Sequence, residues 1–203
     1  IEALKLIPDD ETILILNGND YVLPEAIKTV LEIGNTTDGA ILGQVRETYF
    51  PGGYLQVDAD NKIQSIIEKP GPGNEPSNLV NIVVHCFSKA GELKNALSQA
   101  QSQNDDVYEV ALDNLFKSKN FKAVNYDGPW QAIKYPWHIL DMMFLLLANQ
   151  ETNISSEALI SKSATIKGER VVIESGVKIF ENAVICGPCY IGKDSVVGNG
   201  ALV

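Results

Sequence analysis

From Ile160 to Val203 aliphatic residues return at every sixth position. Ile173, Ile179, Ile185, Ile191, Val197 and Val203 form an unbroken series, and Ile160 and Ile166 stand on an earlier series offset from it by one residue. Four positions after each member comes a second residue that is mostly small: Val177, Ala183, Cys189, Ser195 and Ala201. An amphipathic helix repeats near 3.6 residues and a half-buried strand at 2. A period of six fits neither. It fits a parallel β-helix in which each unit is one short strand plus a corner, with the aliphatic residue filling the interior and the small inward residue letting the chain turn. A run of hairpins would show two-residue turns flanked by alternation, which this segment lacks. The slip between Ile166 and Ile173 predicts a small bulge or loop at one corner.

Before residue 150 the pattern is mixed α/β. Ile1 to Pro8 reads as the end of a helix. Ile13-Leu14-Ile15-Leu16 is a wholly apolar run, expected for a strand buried on both faces of a parallel sheet. It stops at Asn17-Gly18-Asn19-Asp20, and polar residues at the carboxyl end of such a strand sit where open α/β sheets bind ligands. Pro24 to Ile33 predicts a helix, with proline near its start and Gly34 as its stop. A strand follows from Asp38 to Val45. Tyr49 to Val57 and Ile63 to Ile67 form a hairpin around Asp58–Lys62, closed by Glu68-Lys69-Pro70. After a loop rich in Gly, Pro and Asn, Leu79 to Phe87 reads as a strand. Lys89 to Ala100 reads as a helix, and a second helix begins at Asn104–Asp106 and runs to Phe116. Phe121 to Tyr126 is a strand that Trp130–Ile133 continues or pairs with, and Pro136 to Gln150 is a helix. The polar stretch Asn153–Glu157 reads as a linker, which gives two domains, 1–150 and 151–203.

Composition narrows the function classes. The chain has 203 residues, 45% apolar and 21% charged, ordinary for a globular protein. A net charge of −10 argues against a general nucleic-acid binder, while leaving room for a local basic pocket for phosphates. The run Ile139–Ala148 carries Asp141 and is too short to span a bilayer, so no membrane partner is expected. The chain opens with Ile rather than Met and ends inside the repeat, and is expected to be part of a longer protein. No signal peptide is visible, and Cys86, Cys186 and Cys189 do not form a disulfide framework, so a reducing cytoplasm is expected. Cys186-Gly187-Pro188-Cys189 has the spacing of half a zinc site or a redox pair. No second pair exists, however, and Cys189 holds the small inward position of the repeat, which favours a structural role. His85, in an apolar strand, and His138, at a helix start, have no partner at an informative spacing and read as core or surface residues.

The order of these features resembles the sugar-1-phosphate nucleotidyltransferases, the glucose-1-phosphate thymidylyltransferase and N-acetylglucosamine-1-phosphate uridylyltransferase group. The resemblance rests on the buried strand with its Gly-Asp-like turn, the hairpin ending in Glu68-Lys69-Pro70, the strand bearing Asn81, the segment Trp130-Gln131-Ala132-Ile133-Lys134-Tyr135-Pro136-Trp137, and the hexapeptide tail. It implies a Rossmann-like α/β nucleotide-diphospho-sugar transferase domain with a mixed sheet, lacking its N-terminal portion, followed by a left-handed parallel β-helix. It also implies the joining of a nucleoside triphosphate to a sugar 1-phosphate, giving a UDP- or dTDP-sugar and pyrophosphate, with Mg²⁺ to neutralise phosphates. The family's Gly-rich loop, with its catalytic Arg and Lys, is absent here.

By the same resemblance Gly53 lies against the sugar, where a missing Cβ permits close approach. Glu68 accepts hydrogen bonds from sugar hydroxyls, Lys69 lies near the phosphate, and the amide of Asn81 meets the sugar. The metal ligand of the family maps near Asp20, but Gly18 is followed by Asn19, and Asp20 comes one residue late, where a one-residue shift turns a side chain to the other face. Ala132 replaces the family's second metal-binding Asp, and Val83 replaces a strand glycine. These departures keep open a second reading: a catalytically degenerate sugar-nucleotide-binding, regulatory or assembly subunit of the same fold. A third, a bifunctional protein with an acetyltransferase, draws no support from this stretch, because no histidine lies in the repeat. The β-helix implies homo-oligomers and reads as a packing and assembly module.

Overall fold

The computed structural model describes residues 2–104 and 106–203. Ile1 and Asp105, which fall within two of the expected helix boundaries, lie outside the described residues. The chain forms two compact units, Ile1–Trp130 and Gln131–Val203.

In the first unit a 3-10 turn (Ala3–Leu6), rather than the end of an α-helix, precedes β1 (Ile13–Leu16) and the short β2 (Asp20–Tyr21). Then follow α1 (Pro24–Gly34), β3 (Gly39–Val45), β4 (Gly53–Val57), β5 (Ile63–Glu68), β6 (Leu79–Phe87), α2 (Ala90–Gln99), α3 (Val107–Ser118) and β7 (Phe121–Asn125). The sheet order is β5-β4-β6-β3-β7, with β1 paired to β6. Only β3 and β7 run parallel; β6 is antiparallel to β1, β3 and β4, and β4 is antiparallel to β5. The sheet is therefore mixed.

The expected burial of β1 on both faces of a parallel sheet is corrected. β1 pairs antiparallel with β6, Ile13 is buried, and Leu16 is 47% exposed. An all-apolar run of four specifies a strand but not the direction of its neighbour. The faces of the sheet follow the period of two except at the register shift opposite Gln56 and Val57, which turns both Ile63 and Ile66 to the same side. Leu55, Ile63, Ile66, Leu79 and Phe87 point into one core with Leu93, Ala96, Leu112 and Phe116 from α2 and α3. The hairpin turn is held by Asp58, whose Oδ1 accepts from the backbone N–H groups of Asp60 (3.0 Å) and Lys62 (2.9 Å), with Asn61 at φ 58°. These bonds hold the Asp58 carboxyl below its ordinary range.

The second unit begins with β8 (Gln131–Ala132) and α4 (His138–Ala148). The β-helix strands are β9 (Asn153–Ile154), β10 (Leu159–Ile160), β11 (Thr165–Lys167), β12 (Val171–Ile173), β13 (Lys178–Ile179), β14 (Val184–Cys186), β15 (Cys189–Ile191) and β16 (Val196–Val197). They stack in parallel as three faces, β9-β12-β15, β10-β13-β16 and β11-β14. Val171, Ile173, Val177, Ile179, Ala183, Ile185, Cys189, Ile191 and Val197 form its buried core, as the period of six requires.

The slip resolves into one corner. Thr165 pairs with Val184, nineteen positions on, whereas Val171 pairs with Cys189, eighteen on. The extra residue therefore lies in Gly168-Glu169-Arg170, set against Gly187-Pro188 in the next coil. Gly168 (φ 84°) and Arg170 (φ 61°) take left-handed conformations to absorb it. A Cβ on Gly187 would lie 2.0 Å from the carbonyl oxygen of Glu169, so only glycine lets these corners stack.

Candidate functional site

The register of the first unit aligns residues far apart in sequence. Glu68 pairs with Gly53 across β5 and β4. Tyr54 pairs with Val80 across β4 and β6, which brings Gly53 level with Asn81. Asn81 pairs with Gly43 across β6 and β3, and Gly43 with Asn125 across β3 and β7. Directly opposed residues share a face, so Glu68, Gly53, Asn81, Gly43 and Asn125 form one row on the α3 side of the sheet. A glycine stands on each side of Asn81 and leaves backbone where a side chain would rise. A Cβ at Gly53 would sit 3.2 Å from Glu68 Oε2 and 3.1 Å from Ile66 Cδ1. Glu68, Gly53 and Asn81, chosen from sequence, thus meet in three dimensions.

Lys69 follows directly, at φ 43°, with its Nζ 3.3 Å from Glu68 Oε1 and its side chain 60% exposed. Its N–H donates to the carbonyl of Gly52 (3.1 Å), which ties the Glu-Lys-Pro turn to the start of β4. The ion pair is too exposed to contribute much stability. What it provides is an exposed ammonium beside a largely buried carboxylate.

Sequence reasoning missed three residues around this row. Glu109, on α3, borders an open groove of about 470 Å³ together with Glu68, Asp106 and Lys117. Partial burial pushes its carboxyl up, and the carboxylates of Glu68 and Asp106 act in the same direction. His85 and Tyr108 stand behind Asn81. His85 Nε2 lies 2.8 Å from Asn81 Oδ1 and Nδ1 lies 2.8 Å from Tyr108 Oη, with the two rings stacked at 5.7 Å. His85 is fully buried, and desolvation lowers its pKa to about 3, so the ring is neutral at pH 7. The core role expected for His85 is therefore only part of its environment. In a regular strand residues i and i+4 stand about 13 Å apart, and no spacing rule joins them. Here β6 bulges at Val83 and Val84, opposite the register shift between Ile41 and Leu42, and the two side chains meet. Val83 itself is half-buried at the bulge.

Asp20 occupies β2. Its Oδ1 accepts from Asn17 Nδ2 (3.3 Å) and its Oδ2 from Trp130 Nε1 (3.4 Å). Trp130 is packed by Phe50 (ring centroids 4.8 Å) and by the Arg46 guanidinium, 4.9 Å over its ring. Ala132 is buried and offers no ligand. Among the described residues no group of three His, Cys, Asp or Glu side chains is placed to hold a metal ion. The acidic position named from sequence, Asp20, would therefore offer a cation one carboxylate. That meets the lower end of what Mg²⁺ uses when substrate phosphates and water complete its shell.

Cys86, Cys186 and Cys189 are free thiols. Cys189 is buried inside the β-helix, where burial raises its pKa, opposite to the thiolate character a metal or redox site requires. No helix among the described residues is long and apolar enough to cross a membrane.

In its mixed sheet and the hexapeptide β-helix that follows, the chain is similar to the sugar-1-phosphate nucleotidyltransferases that carry a hexapeptide-repeat tail. The family described as bacterial transferase hexapeptide (six repeats) matches residues 170–203. A bifunctional protein GlmU from Methanococcus aeolicus is 33% identical over 128 residues, 63% of this chain and 30% of the relative. A bifunctional sugar-1-phosphate nucleotidylyltransferase/acetyltransferase from Sulfurisphaera tokodaii is 29% identical over 176 residues, 85% of this chain and 41% of the relative. Among solved structures, a Bacillus anthracis protein named as a glucose-1-phosphate thymidylyltransferase matches 72% of this chain and 58% of its own, with a TM-score of 0.52 and 14% identity, a likeness of fold. The chain thus spans 30% and 41% of the length of these two curated relatives.

Proposed function

We propose that this chain carries the sugar-phosphate side of a sugar-1-phosphate nucleotidyltransferase, which forms a UDP- or dTDP-sugar and pyrophosphate from a nucleoside triphosphate and a sugar 1-phosphate. The observation that supports this reading is the row Glu68–Gly53–Asn81 with Lys69 at its end. Glu68 accepts from sugar hydroxyls, Gly53 lets the ring approach the backbone, the Asn81 amide donates, and the Lys69 ammonium faces the phosphate. Mg²⁺, with Asp20 as its one carboxylate from these residues, neutralises phosphate charge when bound. Glucose 1-phosphate or N-acetylglucosamine 1-phosphate is mixed with UTP or dTTP and Mg²⁺, and pyrophosphate is measured. Turnover with one pair from the full-length protein is expected; none with any pair refutes the enzyme.

One observation favours a second reading. Ala132 stands where a second metal carboxylate is expected from the resemblance, and it is buried. A subunit that binds sugar nucleotides without turning them over, and assembles through its β-helix, fits that loss. Saturable binding of a sugar nucleotide without pyrophosphate release selects this reading.

A further inference from the structure

The buried contact behind Asn81 fixes a direction of hydrogen bonding. Asn81 Oδ1 only accepts, so the His85 nitrogen 2.8 Å away, Nε2, must carry the proton. A neutral imidazole then has a bare Nδ1, and Tyr108, 2.8 Å from it, must donate its hydroxyl proton. Both groups are suited to these roles. Burial keeps the ring neutral, and burial together with the Glu109 carboxylate raises the pKa of Tyr108, which keeps its proton. The chain of donors runs one way: Tyr108 O–H to Nδ1, then Nε2–H to Oδ1. Asn81 is itself only 9% exposed, yet its Nδ2 has no hydrogen-bond partner among the described residues and is not sealed from solvent. A nearly buried amide with its carbonyl end tied and its NH₂ end open is held ready for an acceptor.

We propose that His85 and Tyr108 are positioning residues that lock the Asn81 carboxamide with its NH₂ as an obligate donor to a sugar oxygen in the trough beside Gly53. This rests on the reading of that row as the sugar site. The row then presents a fixed donor at Asn81 and an acceptor at Glu68, with a glycine between them. That pairing recognises a polyol: one hydroxyl gives its proton to Glu68, and another oxygen, hydroxyl or carbonyl, takes one from Asn81. Without the lock the amide is able to present its carbonyl in place of its NH₂. A deoxy or apolar substituent at the Asn81 position leaves the NH₂ unpaired, which is how buried polar groups discriminate.

Two measurements test this. Histidine ¹⁵N correlation spectra of the wild type at pH 7 report the tautomer; Nε2–H is expected, and an Nδ1–H or charged His85 overturns the proposal. Calorimetric titration with glucose 1-phosphate and with N-acetylglucosamine 1-phosphate then compares variants. His85→Phe removes the donor and should weaken binding about tenfold, whereas His85→Gln, which restores an N–H near the Nε2 position, should stay within about twofold of wild type. Tyr108→Phe keeps the stacked ring, removes only the hydroxyl and should give a mixed tautomer with an intermediate loss. Equal affinity of wild type and Tyr108→Phe, with both melting alike, overturns the proposal, as does a His85→Gln variant no better than His85→Phe. If the wild type binds neither sugar phosphate, the sugar-site reading falls and takes this role with it. If it binds and the variants do not differ, only the lock falls.

Discussion

The burial of His85 makes a prediction about acid stability. Its pKa is lowered from 6.5 to about 3 in the folded chain because the ring is fully buried. A depressed folded pKa means that the unfolded chain takes up the proton first. The stability this group provides is therefore fully present above pH 6.5 and is lost as pH falls toward 3. Every pH step of one between the unfolded and folded values corresponds to about 1.4 kcal/mol, so the whole window is worth about 5 kcal/mol, of which about 2 kcal/mol is lost by pH 5. Other groups titrate in the same range, and comparison with His85→Gln cancels them. The assay is urea unfolding at pH 7.5 and pH 5, followed by the emission of buried Trp130 in a Trp137→Phe background. At a slope near 2 kcal/mol per molar urea, the wild-type midpoint should fall about 1 M further than that of His85→Gln over this interval. Parallel behaviour of the two proteins would show that His85 protonates freely in the folded state, and would refute both its burial as a neutral ring and the donor order built on it.

Four further outcomes follow from the geometry. Gly53→Val places a branched side chain against Glu68 Oε2 and Ile66 Cδ1, and should weaken sugar 1-phosphate binding by about tenfold or more in titration while the circular dichroism spectrum is unchanged. Gly187→Ala drives a methyl group into the Glu169 carbonyl and should destabilise the β-helix by about 1–3 kcal/mol or more, read as an earlier thermal transition. Glu109→Gln removes a carboxyl whose folded pKa is raised, so its charged form costs stability at neutral pH. The variant should melt higher at pH 7.5, and the gain should vanish as pH falls below the ordinary carboxylate range; a constant gain at all pH values refutes the assigned cause. Cys189→Ala should leave the melting of the β-helix insensitive to chelators, as in the wild type, whereas a drop on chelation in the wild type alone would restore the zinc reading.

The β-helix was legible in the sequence down to its defect. Ile173, Ile179 and Ile185 repeat because every coil buries the same position, and the seven-residue step from Ile166 to Ile173 locates the enlarged corner at Gly168-Glu169-Arg170. Such a repeat is a local record of structure, since each rung meets the next at a constant separation along the chain. The strand Leu79–Phe87 and the hairpin before Glu68 were equally visible, because alternation and turn residues act within a few positions. Tertiary structure decided the pairings. Nothing in Ile13–Leu16 specifies an antiparallel neighbour, and nothing local places Glu68 and Gly53 level with Asn81, because register is set by contacts between strands. The same holds most strongly for His85. Read alone it is a histidine in an apolar strand. A bulge two residues long, together with a tyrosine twenty-three positions away on α3, turns it into the support of Asn81, whose donor end has no hydrogen-bond partner among the described residues.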